Sequence, residues 1–215
     1  MKTFKELKKY FKDAGKRASA CTSEYHRVLQ SKTKSELLAV IKDNFRWCFE
    51  NGCVSPDILD WFGQDVVENA GIYYKGVVPE IKDKTGVVLA FDAVVERLSD
   101  NAVVKKMYDN AVVQEMLASS VIKEMYDNTV VGEMWGNAVV GKMLDNAVVR
   151  KMLSSAVVQR MFDNAIVENM YGNAVVQEMW DDAVVKEMYG NAVAINTEQN
   201  KIFVAREFDI IIKNK

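Results

Sequence analysis

The chain has 215 residues, 49% apolar and 27% charged, which is typical of a folded protein with one domain or two small ones. No apolar run reaches about 18 residues, and the first residues lack the apolar core of a signal peptide, so we expect neither a membrane span nor export. The net charge of −2 is uneven, because residues 1–47 carry twelve basic and five acidic side chains. Three cysteines without an export signal predict free thiols and a cytoplasmic location.

Residues 1–64 are predicted to form a helical, basic head. Apolar residues recur at helical spacing within residues 2–19, at Phe4, Leu7, Phe11 and Ala14. Further helices are predicted over residues 23–30 and over residues 35–50, the latter ending at Asn51-Gly52. The capping sequence Ser55-Pro56-Asp57 predicts one more helix, with Ile58, Trp61 and Phe62 facing inward.

The polar side of the first helix is the first candidate binding site. Its candidate residues are Lys5, Lys8, Lys9, Lys12, Lys16 and Arg17. A basic helix face of this kind fits nucleic acid or another acidic partner. The alternative interpretation is a solvated helix face that increases solubility.

Residues 65–91 have no regular period but are rich in strand formers, at Val66-Val67, Ile72-Tyr73-Tyr74, Val77-Val78 and Val87-Val88-Leu89. We interpret this segment as degenerate first coils that close the N-terminal end of the repeat array. Terminal repeats depart from the consensus because they must cover an open apolar end.

Residues 92–194 form a tandem array with the pattern Asn-Ala-Val-Val-x-x-Met-aromatic-Asp/Gly, repeated every nine residues. Nine residues are two and a half turns of an α-helix, so a continuous helix would move the apolar face to the other side at each repeat. Nine is also odd, so a continuous strand fails because its side chains alternate with period two. Each repeat is therefore predicted to be a strand of about five residues followed by a corner.

The residue before the Asn column alternates between aspartate and a small residue, as at Asp109, Ala118, Asp127 and Gly136. The full repeat is therefore a pair of nonapeptides, and each pair would make one coil of a two-sided β-solenoid. Coils would stack about 4.8 Å apart, with methionine and valine columns in the core. The pattern leaves open whether Val103-type or Val104-type residues point inward. Val104 and Met107 can share the core only if the strand bends between them.

Two further sets of candidate binding residues lie in the array. One is the aspartate column, Asp109, Asp127, Asp145, Asp163 and Asp181, whose stacked carboxylates would favour a cation or a basic partner. The alternative for this column is repeated corner chemistry. The other set is Trp135 and Trp180, members of two aromatic columns that either stabilise the stack or form an exposed binding strip.

Residues 195–215 are predicted to form a C-terminal β cap that protects the last coil from pairing with another chain. Alternating apolar residues over 202–212 predict a strand, and Glu198-Gln199-Asn200 a turn before it. Self-association through the ends of the solenoid is the alternative fate of open coil edges.

The sequence offers no catalytic residue, metal site or cofactor motif. Its only histidine, His26, has no catalytic partner nearby in sequence, and Cys48 and Cys53 lack the further ligands of a zinc site. No phosphate loop or dinucleotide fingerprint is present. We therefore expect a protein that is not an enzyme.

The array resembles the short-tandem-repeat β-solenoid proteins of bacteria and phages, of the nonapeptide- and pentapeptide-repeat kind. It lacks the calcium-binding Gly-Gly-x-Gly-x-Asp motif, and its 8 basic and 12 acidic side chains over residues 101–193 do not suit a DNA mimic. The resemblance implies a mainly β fold and a role in binding a protein or nucleoprotein complex, for example as an anti-CRISPR inhibitor of a host defence complex. The alternative function is nucleic-acid association through the basic head.

Overall fold

The structure is a computed structural model that describes residues 1–197 and 201–204. Its contacts divide the chain into two compact units, Met1–Tyr73 and Tyr74–Lys215. The first unit is mostly helical and the second is a β-solenoid, so the chain is mainly β, as expected. No helix within the described residues is both long and apolar enough to cross a membrane.

The described part of the first unit contains six helices and a short strand. They are α1 (Phe4–Arg17), α2 (Thr22–Gln30), α3 (Lys34–Asp43), α4 (Phe45–Glu50), α5 (Pro56–Asp60), α6 (Gln64–Asn69) and β1 (Ile72–Tyr73). Helix α1 begins at a capping box, in which the Thr3 hydroxyl and the Glu6 carboxylate each accept the other residue's backbone N–H. Leu7, Phe11 and Ala14 of α1 are buried, which confirms its predicted apolar face.

Residues 35–50, predicted as one helix, form α3 and α4 with a break at Asn44. The Asn44 amide donates to the Val40 carbonyl (2.9 Å) and to Glu24 Oε2 (2.6 Å). A side chain that bonds the backbone in this way competes with the regular helical hydrogen bonds. The prediction of a continuous helix is wrong because the apolar stripe runs through both helices, whereas the side-chain bonds of Asn44 interrupt the backbone between them.

The end of α4 and the start of α5 follow the predicted capping chemistry. Gly52 has a φ of 63°, the left-handed conformation expected after a helix. Ser55 caps α5 by accepting the Ile58 N–H at 3.3 Å, and Pro56 is its first residue. Phe62 is buried as expected, whereas Ile58 and Trp61 are only half-buried.

Val66 and Val67, predicted to lie in a strand, belong to α6. The helix starts after Gly63, carries Asp65 in its first turn and buries only Val67. An acidic residue near a helix N-terminus is favourable, and this local signal outweighs the β preference of two valines. The predicted strands at residues 72–73, 77–78 and 87–89 are confirmed.

The second unit contains fifteen strands among the described residues. They are β2 (Val77–Lys82), β3 (Val87–Leu89), β4 (Val94–Ser99), β5 (Val103–Met107), β6 (Val112–Met116), β7 (Val121–Met125), β8 (Val130–Met134), β9 (Val139–Met143), β10 (Val148–Met152), β11 (Val157–Met161), β12 (Ile166–Met170), β13 (Val175–Met179), β14 (Val184–Met188), β15 (Val193–Asn196) and β16 (Lys201–Val204). Each array repeat from β5 to β14 is one strand of five residues, as the nine-residue period predicts.

The strands form two parallel sheets. Strands β3, β5, β7, β9, β11, β13 and β15 follow one another in the odd sheet, and β2, β4, β6, β8, β10, β12 and β14 in the even sheet. Neighbouring strands in the array are offset by two nonapeptides, which places Val148 opposite Ile166 and Met152 opposite Met170. This register confirms that one coil contains two nonapeptides, one in each sheet.

The core of the solenoid consists of alanine, valine and methionine columns. Ala102, Val104 and Met107, and their equivalents in the other coils, are fully buried, whereas Val103-type residues are half-buried on the outer faces. Val104-type residues are therefore the inward column. Because Val104 and Met107 are three residues apart, strict alternation is interrupted between them. Ladder pairing skips one of the two residues in between, as at Arg150 in β10, so regular pairing is interrupted where a bend or bulge was predicted.

Every corner of the array contains one residue in the left-handed conformation, immediately before the Asn column. Its φ lies between 55° and 73° at Asp109, Ala118, Asp127, Gly136, Asp145, Ser154, Asp163, Gly172, Asp181 and Gly190. Glycine adopts this conformation without strain, and aspartate tolerates it better than most residues. The alternation of aspartate with small residues therefore reflects two chemically different corners.

The C-terminal cap is described only in part. Strand β16 pairs antiparallel with β15, placing Val204 opposite Val193 and Lys201 opposite Asn196. This pairing closes the end of the odd sheet, as the predicted β cap requires. The predicted turn at residues 198–200 and the part of the predicted strand over residues 205–212 lie outside the described residues.

Candidate binding surfaces

The aspartates of the array form one continuous ladder, called here the acidic edge (Asp109, Asp127, Asp145, Asp163 and Asp181). The backbone N–H of each of the first four donates to the carboxylate one coil further on, at 3.0 Å from Asp109 to Asp127 and at 3.1 Å from Asp127 to Asp145. The same bond joins Asp145 to Asp163 at 3.1 Å and Asp163 to Asp181 at 3.2 Å. The carboxylates therefore hold the corner together, which favours the structural interpretation of this column.

The first aspartate of the ladder, Asp109, has a perturbed carboxyl group. Burial raises the pKa of the Asp109 carboxyl, and the nearby charges of Asp127 and Asp92 raise it further. No group of three or more metal-ligating side chains occurs among the described residues. The ladder is thus a set of single carboxylates, of which the last four accept a backbone N–H from the preceding coil.

The two candidate tryptophans lie on opposite edges of the solenoid. Trp180 precedes Asp181 on the acidic edge, whereas Trp135 precedes Gly136 on the neutral edge (residues 117–120, 135–138, 153–156, 171–174 and 189–192). Trp135 is 40% exposed and donates to Glu133 at 3.1 Å, and the half-buried Trp180 donates to Glu178 at 3.4 Å. The structure therefore does not unite them in one binding strip.

Other aromatic residues of these columns stack on their equivalents one coil away. Tyr108 stacks on Tyr126 with ring centroids 5.3 Å apart, and Tyr171 stacks on Tyr189 at 4.9 Å. Their planes are within 7° and 5° of parallel, respectively. These rings contact each other through their faces, which supports a structural role for the aromatic columns.

Four of the candidate lysines form a single stripe on α1, called here the lysine stripe (Lys5, Lys9, Lys12 and Lys16). Their spacing of four, three and four residues places them on one face of the helix, over about 16 Å. All four are exposed, and none of them makes an ion pair with another described residue. The stripe is therefore available to an anionic partner.

Lys8 and Arg17, the other two candidate residues of the head, lie away from this stripe. The Lys8 ammonium donates to the Ser31 carbonyl at 2.7 Å, so it joins α1 to the residue that follows α2. Arg17 is exposed at the end of α1, off the face of the four lysines. Sequence reasoning placed all six residues in one site, whereas the helix separates them.

The outer faces of the two sheets differ in charge, a difference that the sequence analysis did not predict. Within each repeat, the third and fourth strand positions vary and face outward. On strands β5 to β13 of the odd sheet, these positions hold five basic and two acidic side chains: Lys105, Lys106, Lys123, Lys142, Arg160, Glu124 and Glu178. On strands β4 to β14 of the even sheet, they hold four basic and five acidic ones. This difference in charge is visible in the sequence when odd and even nonapeptides are compared separately.

Ion pairs between coils occupy only part of the odd face. Glu124 lies between Lys106 (3.2 Å) and Lys142 (3.8 Å). Lys105, Lys123 and Arg160 are exposed and form no ion pair within the described residues. On the even face, Lys151 pairs with Glu133 at 2.9 Å and Lys186 with Glu168 at 3.0 Å. The odd face therefore has the larger excess of unpaired positive charge.

The cysteines are free thiols, with Cys21 exposed and Cys48 and Cys53 buried. Burial raises the pKa of the Cys48 thiol to about 12, and burial likewise raises the pKa of Cys53. Both thiols are therefore protonated near neutral pH, whereas nucleophilic and metal-binding chemistry requires the thiolate. His26 is exposed on α2.

Comparisons of the chain with protein-family models, with curated proteins and with solved structures found no match.

Proposed function

We propose that this protein is a non-enzymatic interaction protein that presents the outer faces of a β-solenoid to another macromolecule. The supporting observation is how each nonapeptide uses its nine positions. Alanine, the second valine and methionine fill the core, and the residue before asparagine shapes the corner. The two positions that vary most between repeats are the ones on the outer faces. Variation at exposed positions on a regular frame suits partner recognition rather than a single catalytic centre.

The odd face is the better candidate surface. Lys105, Lys123 and Arg160 are exposed and unpaired there among the described residues, and a column of half-buried valines lies beside them. Basic groups beside an apolar stripe fit an acidic protein or a nucleoprotein complex. The resemblance to bacterial and phage repeat solenoids suggests a cytoplasmic inhibitor of a host defence complex, such as an anti-CRISPR protein. This specific form rests on fold-level analogy.

Binding to purified CRISPR effector complexes, measured by biolayer interferometry, tests this proposal. One triple variant reverses the charge of three basic residues on the odd face: Lys105→Glu, Lys123→Glu and Arg160→Glu. The matched variant does the same on the even face: Arg97→Glu, Arg150→Glu and Lys186→Glu. We expect the first variant to bind at least about tenfold more weakly and the second to stay within about threefold of wild type. Failure to bind any complex would contradict the defence-inhibitor form. Equal effects of both variants on a captured partner would contradict the odd-face assignment.

A second candidate function is nucleic-acid association through the lysine stripe. Four exposed ammonium groups along one helix face can each neutralise a phosphate. The logarithm of the association constant should then fall with the logarithm of salt concentration, with a slope of about −3 to −4. Replacing Lys5, Lys9, Lys12 and Lys16 by alanine should abolish binding to a fluorescent oligonucleotide. Lys105→Ala with Lys123→Ala is the control, and a slope near zero would exclude this function.

A further inference from the structure

The helical unit contains a cavity that neither proposed function uses. It lies among α1, α2, α3 and α4 and has a volume of about 180 Å³. Phe11, Ala14, Tyr25, Val40, Ile41 and Trp47 form much of its wall. The space is partly open to solvent, and the exposed Cys21 lies at its wall, so a small molecule can reach it.

The polar groups at the cavity are already paired. The Glu24 carboxylate accepts from Arg27 at 2.7 Å and from the Asn44 amide at 2.6 Å. The second guanidinium nitrogen of Arg27 donates to Asp43, also at 2.7 Å. The buried Cys48 adds an uncharged thiol to the wall. A charged ligand would have to break these bonds or lose its hydration without compensation, so the walls favour a neutral one.

Helix α2 covers one side of the cavity and is packed less tightly than its neighbours. None of its residues is buried, although α1, α3 and α4 all contribute buried side chains. Tyr25 and Val28 of α2 line the cavity and are half-buried. At Gly15 of α1, an added methyl group would lie 3.2 Å from the Tyr25 ring, so the two helices touch at that point. A ligand beside this contact would bury more of Tyr25 and Val28.

We propose that this cavity binds a neutral aromatic molecule about the size of indole. A dry apolar cavity of roughly 150 Å³ is large enough to bind benzene, and drug-sized ligands need roughly 300 Å³ or more. A volume of about 180 Å³ lies between these limits, nearer the smaller. Phe11, Tyr25 and Trp47 place three aromatic side chains in the wall, and aromatic side chains favour an aromatic ring over an alkyl chain.

Titration of the full-length protein with 5-fluoroindole, followed by fluorine NMR and by thermal unfolding, tests the proposal. We expect a bound fluorine signal and a melting temperature that rises with ligand concentration, because a ligand that binds only the folded state stabilises it. Val28→Phe should fill the cavity, weaken binding at least about tenfold and leave the ligand-free protein no less stable. Leu29→Phe changes the neighbouring exposed position of α2 and should bind like wild type.

Two further measurements keep the test decisive. Ala20→Leu fills the cavity from the segment between α1 and α2, so it replaces Val28→Phe if that variant does not fold. Indole-2-carboxylate has the same ring with a charge and should bind at least about tenfold more weakly than 5-fluoroindole. The proposal is overturned if 5-fluoroindole produces no bound signal in the wild type. It is equally overturned if a folded cavity-filling variant binds as well as wild type, or if the carboxylate binds as tightly as the neutral ring.

Discussion

At the scale of single residues, the left-handed corner position is the most constrained in the array. On the acidic edge, aspartate both adopts a φ near 55° and accepts the backbone N–H of the aspartate one coil earlier. On the neutral edge, a small residue adopts the conformation and no carboxylate is present, as at Gly136 and Ser154. From Asp109 onward, the alternation therefore marks which corner of the coil each nonapeptide forms.

Asp145 provides a direct test of this double role, because its carboxylate accepts the Asp127 N–H at 3.1 Å. Asp145→Ala should lower the free energy of unfolding by about 1–2 kcal/mol, since it removes the acceptor and strains the backbone. Asp145→Asn retains an acceptor oxygen and tolerates the left-handed conformation, so it should cost less than Asp145→Ala. Urea unfolding measures both. Ser154→Ala is the control at the other edge, and an alanine variant as stable as the asparagine variant would contradict the role.

The raised pKa of Asp109 predicts that the stability difference between Asp109→Asn and wild type depends on pH. Its raised pKa means that the folded state holds the proton more tightly than the unfolded state, so the charged form costs stability at neutral pH. Asp109→Asn should therefore be more stable than wild type at pH 7. The difference should shrink as the pH falls and vanish below the ordinary aspartate pKa of about 4. Urea midpoints between pH 3 and 7 measure it, and a difference that is independent of pH would rule the explanation out.

At the scale of structural elements, the unit of the solenoid is the coil of two nonapeptides and not the single nonapeptide. Each strand pairs with the strand one full coil away, so valines stack on valine or isoleucine and methionines on methionines. The two halves of a coil have nearly the same core residues but different corners. Removal of a whole coil should therefore preserve every ladder, whereas removal of half a coil should exchange the edges downstream.

Deletions at one junction test this periodicity. Deleting residues 139–156 joins Ala138 to Val157 and brings Asp127 next to Asp163 in an unbroken ladder. Deleting residues 139–147 joins Ala138 to Val148 and moves Asp163 and Asp181 to the opposite edge, leaving the Asp127 N–H without its carboxylate. We expect the longer deletion to fold and the shorter one to be less stable by at least about 1 kcal/mol. Circular dichroism during thermal unfolding compares them, and a more stable half-coil deletion would refute the assignment.

At the scale of the whole molecule, the solenoid is quasi-one-dimensional, because each coil contacts only its neighbours. Its stability is then a sum of similar interfaces, with the end coils held on one side only. At the C-terminal end, β15 is covered by β16, whereas β14 pairs within the described residues only with β12. Self-association through such an end remains a prediction.

Hydrogen exchange should reveal this arrangement. We expect the slowest amide exchange in the central strands β8 to β11 and faster exchange toward β2 and β14, because end coils can open without disrupting the middle. Mass spectrometry of peptides from each coil measures the gradient. Uniform protection across all coils would instead indicate a single cooperative unit, and maximal protection in an end coil would contradict the nearest-neighbour description.

Much of the solenoid follows from sequence periodicity alone. A strict period of nine excludes continuous helices and strands, and the alternating residue before asparagine identifies the coil of two nonapeptides. In the head, local capping signals located the end of α4 at Asn51-Gly52 and the start of α5 at Ser55-Pro56. These features are predictable because they depend on residues close together in the chain, or on identical residues that recur at a fixed distance.

The remaining features depend on contacts between residues distant in sequence. Val103 and Val104 are both valine, and only their packing shows which one enters the core. The break at Asn44 is supported by a bond to Glu24 on another helix, and Lys8 leaves the basic site because it reaches Ser31. The cavity likewise exists only where four helices meet. The sequence by itself determined the repeating unit and its corners, whereas tertiary structure decided which faces are exposed, since exposure depends on what packs against each side chain.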